Sequence, residues 1–270
     1  MAVSIDNYLR TISYNRYYLK NDSTEADKIN RSLDALLVNL KKDLGLLTKY
    51  TLVFGSFDRD TILPRNIDSK SDIDLMVIFN HTDYERTPET YRAWLKNFAD
   101  TYYKDKYGSE VVKSFPTVTI RLNNINYDLV PAKQEDNAFF GSTLYIPDTG
   151  SGWRTTDPKD VKDKLTAANT KYNSVVKPII RICKAWNANN SYPYESYELE
   201  KEITEMNFYN VTIQSGFFYA VNHLSAGWNE AQSKKDKINS LQYNIGKVKE
   251  ELESNNLEKA KHWLHRALPE

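Results

Sequence analysis

Only one cysteine, Cys183, occurs in 270 residues, which excludes an intramolecular disulfide and a zinc site built from several thiolates. It lies in the apolar run Ile179-Ile180-Arg181-Ile182-Cys183, where a buried structural thiol is expected rather than a nucleophile. An excess of charge of one sign is also missing, since 36 basic side chains balance 36 acidic ones. Extended nucleic-acid binding relies on many Lys/Arg–phosphate contacts and brings a basic excess. The balance therefore argues against a processive polymerase and for small substrates. No run approaches the roughly 20 apolar residues of a membrane span. Residues 1–10 carry Asp6 and no apolar block, so they do not read as a secretory signal. The expectation is a cytoplasmic protein with no membrane association. The four histidines, His81, His223, His262 and His265, show no metal-ligand spacing, and neither internal repeats nor low-complexity linkers are present.

What remains is an ordinary globular composition, 40% hydrophobic and 27% charged, long enough for one large domain or two lobes. Residues 23–47 place Ile29, Leu33, Leu36, Leu37, Leu40, Leu44 and Leu47 at helical spacing. Ser23 or Thr24 is the capping candidate, and Gly45 lies near the end. A strand is expected at 50–54, a polar loop with Pro64 at 58–70, a strand at 72–79 and a helix at about 87–105. Val118, Ile120 and Leu122 alternate with Thr117, Thr119 and Arg121, and Asn123-Asn124 turns the chain into a second strand at 125–130. Residues 133–157 read as irregular. Asp157-Pro158 then starts a helical half, with aspartate at the cap and proline at the first position. Helices are expected at about 158–189 with a break near Pro178, and at 197–226, 233–254 and 257–267. The division is a sheet-bearing catalytic lobe at 1–154, with the N-terminal helix bridging, and a helical nucleotide-binding lobe at 155–270.

The most informative segment runs from Gly55-Ser56 to Ser71-Asp72-Ile73-Asp74-Leu75. Two carboxylates one residue apart in a β-branched run point to the same side of a strand, while Ile73 and Leu75 point to the other. Unpaired charges on an otherwise apolar strand are costly to bury, and divalent cations with the phosphates they hold resolve that cost. Nucleotidyl transfer uses such an arrangement, with two metals about 3.5–4 Å apart stabilising the attacking and leaving oxygens. Asp72 and Asp74 are placed to bridge the metals, and Asp128, on the later hairpin, to serve as the third carboxylate. Glycine at 55 lets the backbone approach a phosphate, and Ser56 can donate to its oxygens. Each element has a plainer explanation: a solvent-facing strand, a turn aspartate, an ordinary Gly-Ser. The combination is what makes the pattern specific.

That combination resembles the polymerase-β-like nucleotidyltransferase superfamily. Lys184-Ala185-Trp186-Asn187 and Ser196-Tyr197-Glu198-Leu199-Glu200 narrow the resemblance to the bacterial CD-NTases, relatives of animal cyclic GMP-AMP synthase and oligoadenylate synthases. The segment 139–153, ending in Gly152-Trp153-Arg154-Thr155-Thr156-Asp157-Pro158, is similar to that family's crossover between lobes. Lys259-Ala260-Lys261-His262-Trp263 is similar to the region where those enzymes end. The resemblance implies an α+β fold, a polymerase-β-like core with a mixed β-sheet lobe packed on a C-terminal helical lobe. It implies that Lys184 and Ser196 contact a donor triphosphate and that Tyr197 stacks on its base. There are two departures: members often carry glycine where this chain has Asp60, and the segment 57–71 is long and holds Pro64.

The resemblance further implies an enzyme using Mg²⁺, or Mn²⁺, to join nucleoside triphosphates, ATP among them, into a cyclic di- or trinucleotide. Asp72, Asp74 and Asp128 would be the metal ligands and the catalytic set. The product would be a second messenger of antiphage (CBASS-type) defence, sensed by a separate effector, with regulatory proteins of a defence operon as further partners. Two alternatives stay open. One is a nucleotidyltransferase that adds a single nucleotide to a protein, an antibiotic or an RNA end. The other is a nucleotide-binding regulatory module without turnover, which the intact aspartate triad disfavours. Taken alone, Lys184 is an ordinary helix lysine, Tyr197 one of 19 tyrosines and Ser196 a helix N-cap.

Overall fold

A computed structural model describes residues 3–82, 84–139, 141–149 and 152–269, apart from the side chain of Ser23. In chain order its main elements begin with α1 (Asp6–Asn15), α2 (Ser23–Leu44), β1 (Thr48–Phe54), α3 (Gly55–Asp58) and β2 (Asp72–Phe79). They continue with α4 (Pro88–Ala99), α5 (Asp105–Tyr107), β3 (Glu110–Lys113), β4 (Val118–Arg121), β5 (Asn126–Asn137), β6 (Gly141–Pro147) and β7 (Trp153–Thr156). The remainder is helical: α6 (Pro158–Lys171), α7 (Val176–Asn189), α8 (Ser196–Thr204), α9 (Ile213–His223), α10 (Gln232–Glu253) and α11 (Leu257–Ala267). Two compact units result, and neither is one continuous stretch. Ser23–Arg59 and Ser71–Lys162 form the sheet unit. The described residues up to Asp22, with Asp60–Lys70 and Asp163 onward, form the helical unit, so the division differs from a single cut after residue 154.

The sheet unit carries a mixed sheet in the order β1-β2-β5-β4-β3, with β6 pairing both β5 and β7. Only β2 and β5 run parallel; the other pairs are antiparallel. The alternation read from sequence decides which face is dry. Ile73, Leu75, Val77 and Phe79 of β2, Val118 and Ile120 of β4, and Tyr127 and Leu129 of β5 are all buried. Each such side chain contributes about 1.5–3 kcal/mol relative to exposure. On this back face Tyr91 of α4 stacks on Phe79 with ring centroids 4.5 Å apart. The Tyr127 hydroxyl donates to the Ile29 carbonyl at 3.1 Å and lies 2.6 Å from Ser32 Oγ, tying α2 to β5. Ile29, Leu33, Leu36, Leu40 and Leu44 of α2 are buried as their spacing requires, and Leu47 falls beyond the helix end, partly exposed.

The front face is polar at one end and apolar at the other. Met76, Ile78 and Ala132 form a small cluster there with Leu52, Phe54, Leu144 and Ile146. Asp72, Asp74, Asn126 and Asp128 occupy the polar end.

Several expectations require correction. The strand expected to stop near Pro131 runs on to Asn137, and two more strands, β6 and β7, lie in the stretch read as irregular. The proline is tolerated because β5 changes neighbours around it, pairing β4 at 126–129 and β6 at 133–137. No donor is needed on that edge at residue 131. Of the 139–153 crossover segment, Phe140, Gly150 and Ser151 lie outside the described residues. The break expected near Pro178 comes earlier, between α6 and α7, where Asn173 and Ser174 adopt positive φ. Pro178 then sits in the first turn of α7, where its missing N–H costs nothing. The helix expected at 197–226 is two, α8 and α9, and α9 starts with a Thr212–Ser215 capping box. Asp157 caps α6, accepting from the Asp160 N–H at 2.9 Å.

The helical unit has its own core, drawn from Ile179, Cys183 and Trp186 of α7, Leu199 of α8, Phe217 of α9 and Ile245 of α10 among others. Burial pushes the Cys183 thiol well up, as a structural thiol requires. The segment 60–70 belongs to this unit and is a loop, as expected, but it is not polar throughout: Thr61, Ile62, Leu63 and Pro64 are buried. Asp60 shows how its start is held. Its φ is +64°, in the left-handed region that glycine prefers and aspartate tolerates. Lys20 and Lys177 bind its carboxylate at 2.6 and 2.9 Å, and Arg181 donates to its carbonyl at 2.9 Å. Aspartate here thus adopts a backbone conformation that suits glycine and adds an ion-pair anchor.

Candidate active site

The acidic positions meet because β2 and β5 are parallel and in register. Asp74 pairs with Asp128 and Asp72 with Asn126. On its other side Asp128 pairs with Thr119 of β4, whose Oγ1 donates to Asp128 Oδ1 at 2.6 Å. The next row holds Arg121, paired with Asn126 across the hairpin and hydrogen-bonded to both Glu110 carboxylate oxygens at 3.0 and 3.1 Å. Asp72, Asp74 and Asp128 are half-buried, each followed by a fully buried residue of the opposite face, Ile73, Leu75 and Leu129. Burial pushes the Asp128 carboxyl above its ordinary range, while the Thr119 hydrogen bond and the Arg121 charge pull it back.

Gly55 is pressed against this row. Phe54 pairs with Asp74 across β1 and β2, and the chain turns at once into α3 with Gly55 at φ +73°. A Cβ on Gly55 would lie 1.8 Å from Asp74 Oδ2 and 2.8 Å from its Cγ. Ser56 follows in the first turn of α3, half-buried. Asp58, at the end of α3, is held by Lys162 at 2.7 Å. The sheet unit therefore brings together five of the residues singled out from sequence: Gly55, Ser56, Asp72, Asp74 and Asp128.

Lys184, Ser196 and Tyr197 belong to the helical unit. Lys184 is no solvated surface lysine: it is 5% exposed, and its Nζ lies 3.9 Å from Oε2 of Glu200, itself 2% exposed. Thr61 Oγ1 donates to that same Glu200 oxygen at 2.7 Å. Ser196 is the first residue of α8 and half-buried, with Glu195 rather than Ser196 in the cap position. Tyr197 is 44% exposed, as the roughly 100° step between successive helical residues allows.

Among the described residues, no three His, Cys, Asp or Glu side chains converge tightly enough to form a ready-made cation site. The donor chemistry nevertheless fits a hard divalent cation. Its three aspartates offer carboxylate oxygens, and a small cation of this kind takes only part of its shell from protein and the rest from phosphate and water. The raised pKa of Asp128 is the mark of a carboxylate desolvated beyond what its neighbours offset.

A family model, the Second Messenger Oligonucleotide or Dinucleotide Synthetase domain, matches residues 4–169, more than half of the chain. The chain belongs to this family. It is a CD-NTase, a nucleotidyltransferase by family. A probable cyclic nucleotide synthase of Bacillus cereus is 26% identical over 230 residues, covering 70% of this chain and 68% of that protein. The CBASS oligonucleotide cyclase CdnC of Escherichia coli is 24% identical over 200 residues, covering 68% of this chain and 62% of its own length. The chain thus spans about two thirds of each of these relatives. Among solved structures, the CD-NTase CdnG of Bradyrhizobium diazoefficiens in complex with GTP matches with a TM-score of 0.71 at 11% identity, over 98% of both chains. The fold is the α+β polymerase-β-like nucleotidyltransferase fold expected from the motifs.

In this CD-NTase, two contacts were not read from sequence. Thr119 was seen only as a polar strand position, although counting outward from the two-residue turn Asn123-Asn124 would have set it opposite Asp128. The Thr61–Glu200–Lys184 cluster gave no such signal, because 139 residues separate Thr61 from Glu200.

Proposed function

We propose that this CD-NTase joins nucleoside triphosphates, ATP among them, into a cyclic di- or trinucleotide with release of pyrophosphate. The observation that carries the proposal is the row Phe54-Asp74-Asp128-Thr119 with Gly55 pressed on Asp74, in a chain whose family is one of oligonucleotide and dinucleotide synthetases. In each step a ribose hydroxyl oxygen bonds to an α-phosphorus, the bond from that phosphorus to the leaving pyrophosphate breaks, and the hydroxyl loses its proton. Bound Mg²⁺, or Mn²⁺, would be held by Asp72, Asp74 and Asp128 and would supply charge stabilisation to the attacking and leaving oxygens. Gly55 lets the backbone approach the donor phosphates, and Ser56 donates to them. Asp128 lies beside the attacking hydroxyl and assists its deprotonation. Lys184 and Ser196 bind the donor triphosphate, and Tyr197, with an exposed ring, stacks on its base. The sheet unit is the catalytic lobe in this proposal and the helical unit the nucleotide-binding lobe.

The product serves as a second messenger in antiphage, CBASS-type defence, read by a separate effector, with regulatory proteins of the same operon as further partners. The CBASS name of the E. coli relative supports this part of the reading. The balanced charge supports free nucleotides, not extended nucleic acid, as substrate.

The test is to incubate the purified chain with each labelled nucleoside triphosphate, alone and in pairs, with Mg²⁺ or Mn²⁺. Phosphatase treatment and mass spectrometry follow. A phosphatase-resistant cyclic product, absent from the Asp72→Asn/Asp74→Asn protein, is expected. Pyrophosphate release without a nucleotide-only product would replace the proposal with transfer to a macromolecular or drug acceptor. Nucleotide binding without turnover under every condition would leave a binding module.

A further inference from the structure

Asp128 is held differently from the other two aspartates of the row. It lies between Asp74 on β2 and Thr119 on β4, each directly opposite it in register. The Thr119 hydroxyl takes Oδ1 at 2.6 Å, so Oδ2 is the oxygen not bound by Thr119. A carboxylate rotates about its last torsion in a broad, roughly two-fold well, and a fixed donor on one oxygen selects one orientation. The donor itself is stiff. Threonine is β-branched and restricted at χ1, and its neighbours Val118 and Ile120 are both buried on the back face. Arg121, the nearby cation of the same strand, is engaged by both oxygens of Glu110 and acts on Asp128 through its charge.

We propose that Thr119 is a positioning residue, which fixes the carboxylate of Asp128 through Oδ1 and commits Oδ2 to the attacking hydroxyl and its cation. The proposal rests on the role given to Asp128 above.

Thr119→Val keeps the shape and removes the donor; Thr119→Ser keeps the donor. Thr117→Val, two residues away and just before β4, is the control. Two readouts are needed. The first is the affinity of the nucleotide-free protein for Mn²⁺, read by electron paramagnetic resonance. The second is the split between kcat and KM in cyclic product formation. In Thr119→Val the Mn²⁺ affinity should fall about tenfold or more, because the carboxylate that holds the cation is no longer oriented. Turnover at the optimum should fall on the order of tenfold or more, with KM for the donor nucleotide little changed. Thr119→Ser should restore both properties, and Thr117→Val should match the wild type. Unchanged Mn²⁺ affinity in a folded Thr119→Val protein overturns the proposal, as does lowered affinity with unchanged turnover. Lowered Mn²⁺ affinity in a protein that makes no nucleotide product supports the contact and overturns the role assigned to it here, because the failure then lies with the proposed reaction.

Discussion

Gly55 and Asp74 are so close that a single methyl group at Gly55 would lie 1.8 Å from Asp74 Oδ2. The glycine is therefore needed twice, once for φ +73° and once for the space that Asp74 occupies. Gly55→Ala should lower stability by about 1–3 kcal/mol through strain and overpacking. It should also lower turnover by at least 10²-fold by displacing the carboxylate. Thermal melts and product formation check both, and wild-type turnover in Gly55→Ala would remove Asp74 from its assigned place.

Asp128 links stability to pH. A carboxyl whose folded-state pKa lies above its unfolded value favours folding at low pH, and that contribution is lost as pH rises through the folded pKa. Burial raises Asp128 in this way. Asp128→Asn should accordingly melt at a higher temperature than the wild type near neutrality without divalent cation, with the gap closing in acid. Added Mg²⁺ should raise the wild-type melting temperature more than that of the variant. Melts at several pH values, with and without the cation, check this; a variant less stable at neutral pH would contradict it.

Asp60 has the opposite sign. Burial opposes its ionisation, but the hydrogen bonds and charges of Lys20 and Lys177 outweigh burial and hold its pKa below the ordinary value. Its contribution is present above the unfolded pKa and lost as pH falls through the folded one. Asp60→Asn, which tolerates the same left-handed φ, should cost about 1–2 kcal/mol near neutrality. Urea unfolding at neutral and strongly acid pH measures the difference, and an equal cost at both would rule out the ion pairs as its source.

Glu200 holds a buried hydroxyl and a buried ammonium at one oxygen. Glu200→Gln keeps an acceptor for Thr61 and should cost less than Glu200→Ala, for which about 1–3 kcal/mol or more is expected. Chemical denaturation of the two variants checks the order. If the alanine protein is as stable as the glutamine one, the hydrogen bond from Thr61 contributes nothing.

The sheet face was legible where the period was local. Ile73 and Leu75 alternate with Asp72 and Asp74, and the structure buries the first pair and leaves the second half-buried. The helix at 23–44 and the cap at Asp157 were legible for the same reason, since spacing and capping act within a few residues. β6 and β7 were not. Gly141, Ser142 and Thr143 carry little strand signal, and β6 exists because β5 offers it an edge beyond Pro131. The segment 60–70 misled for a related reason. Its buried Thr61, Ile62 and Leu63 make a short run flanked by charged residues, and only contacts with distant helices make it core.

The sequence by itself determined the chemistry: carboxylates at i, i+2 on a strand, glycine and serine at a turn, and a third aspartate on a hairpin, each readable from periodicity and residue type. Only the tertiary structure decided that Asp74 lies opposite Asp128, that Thr119 grips one oxygen of that aspartate, and that Lys184 is buried beside Glu200. The register of two parallel strands separated by more than 40 residues, like the packing of a lysine against a glutamate from another helix, depends on how the whole core closes. No local rule of spacing encodes it.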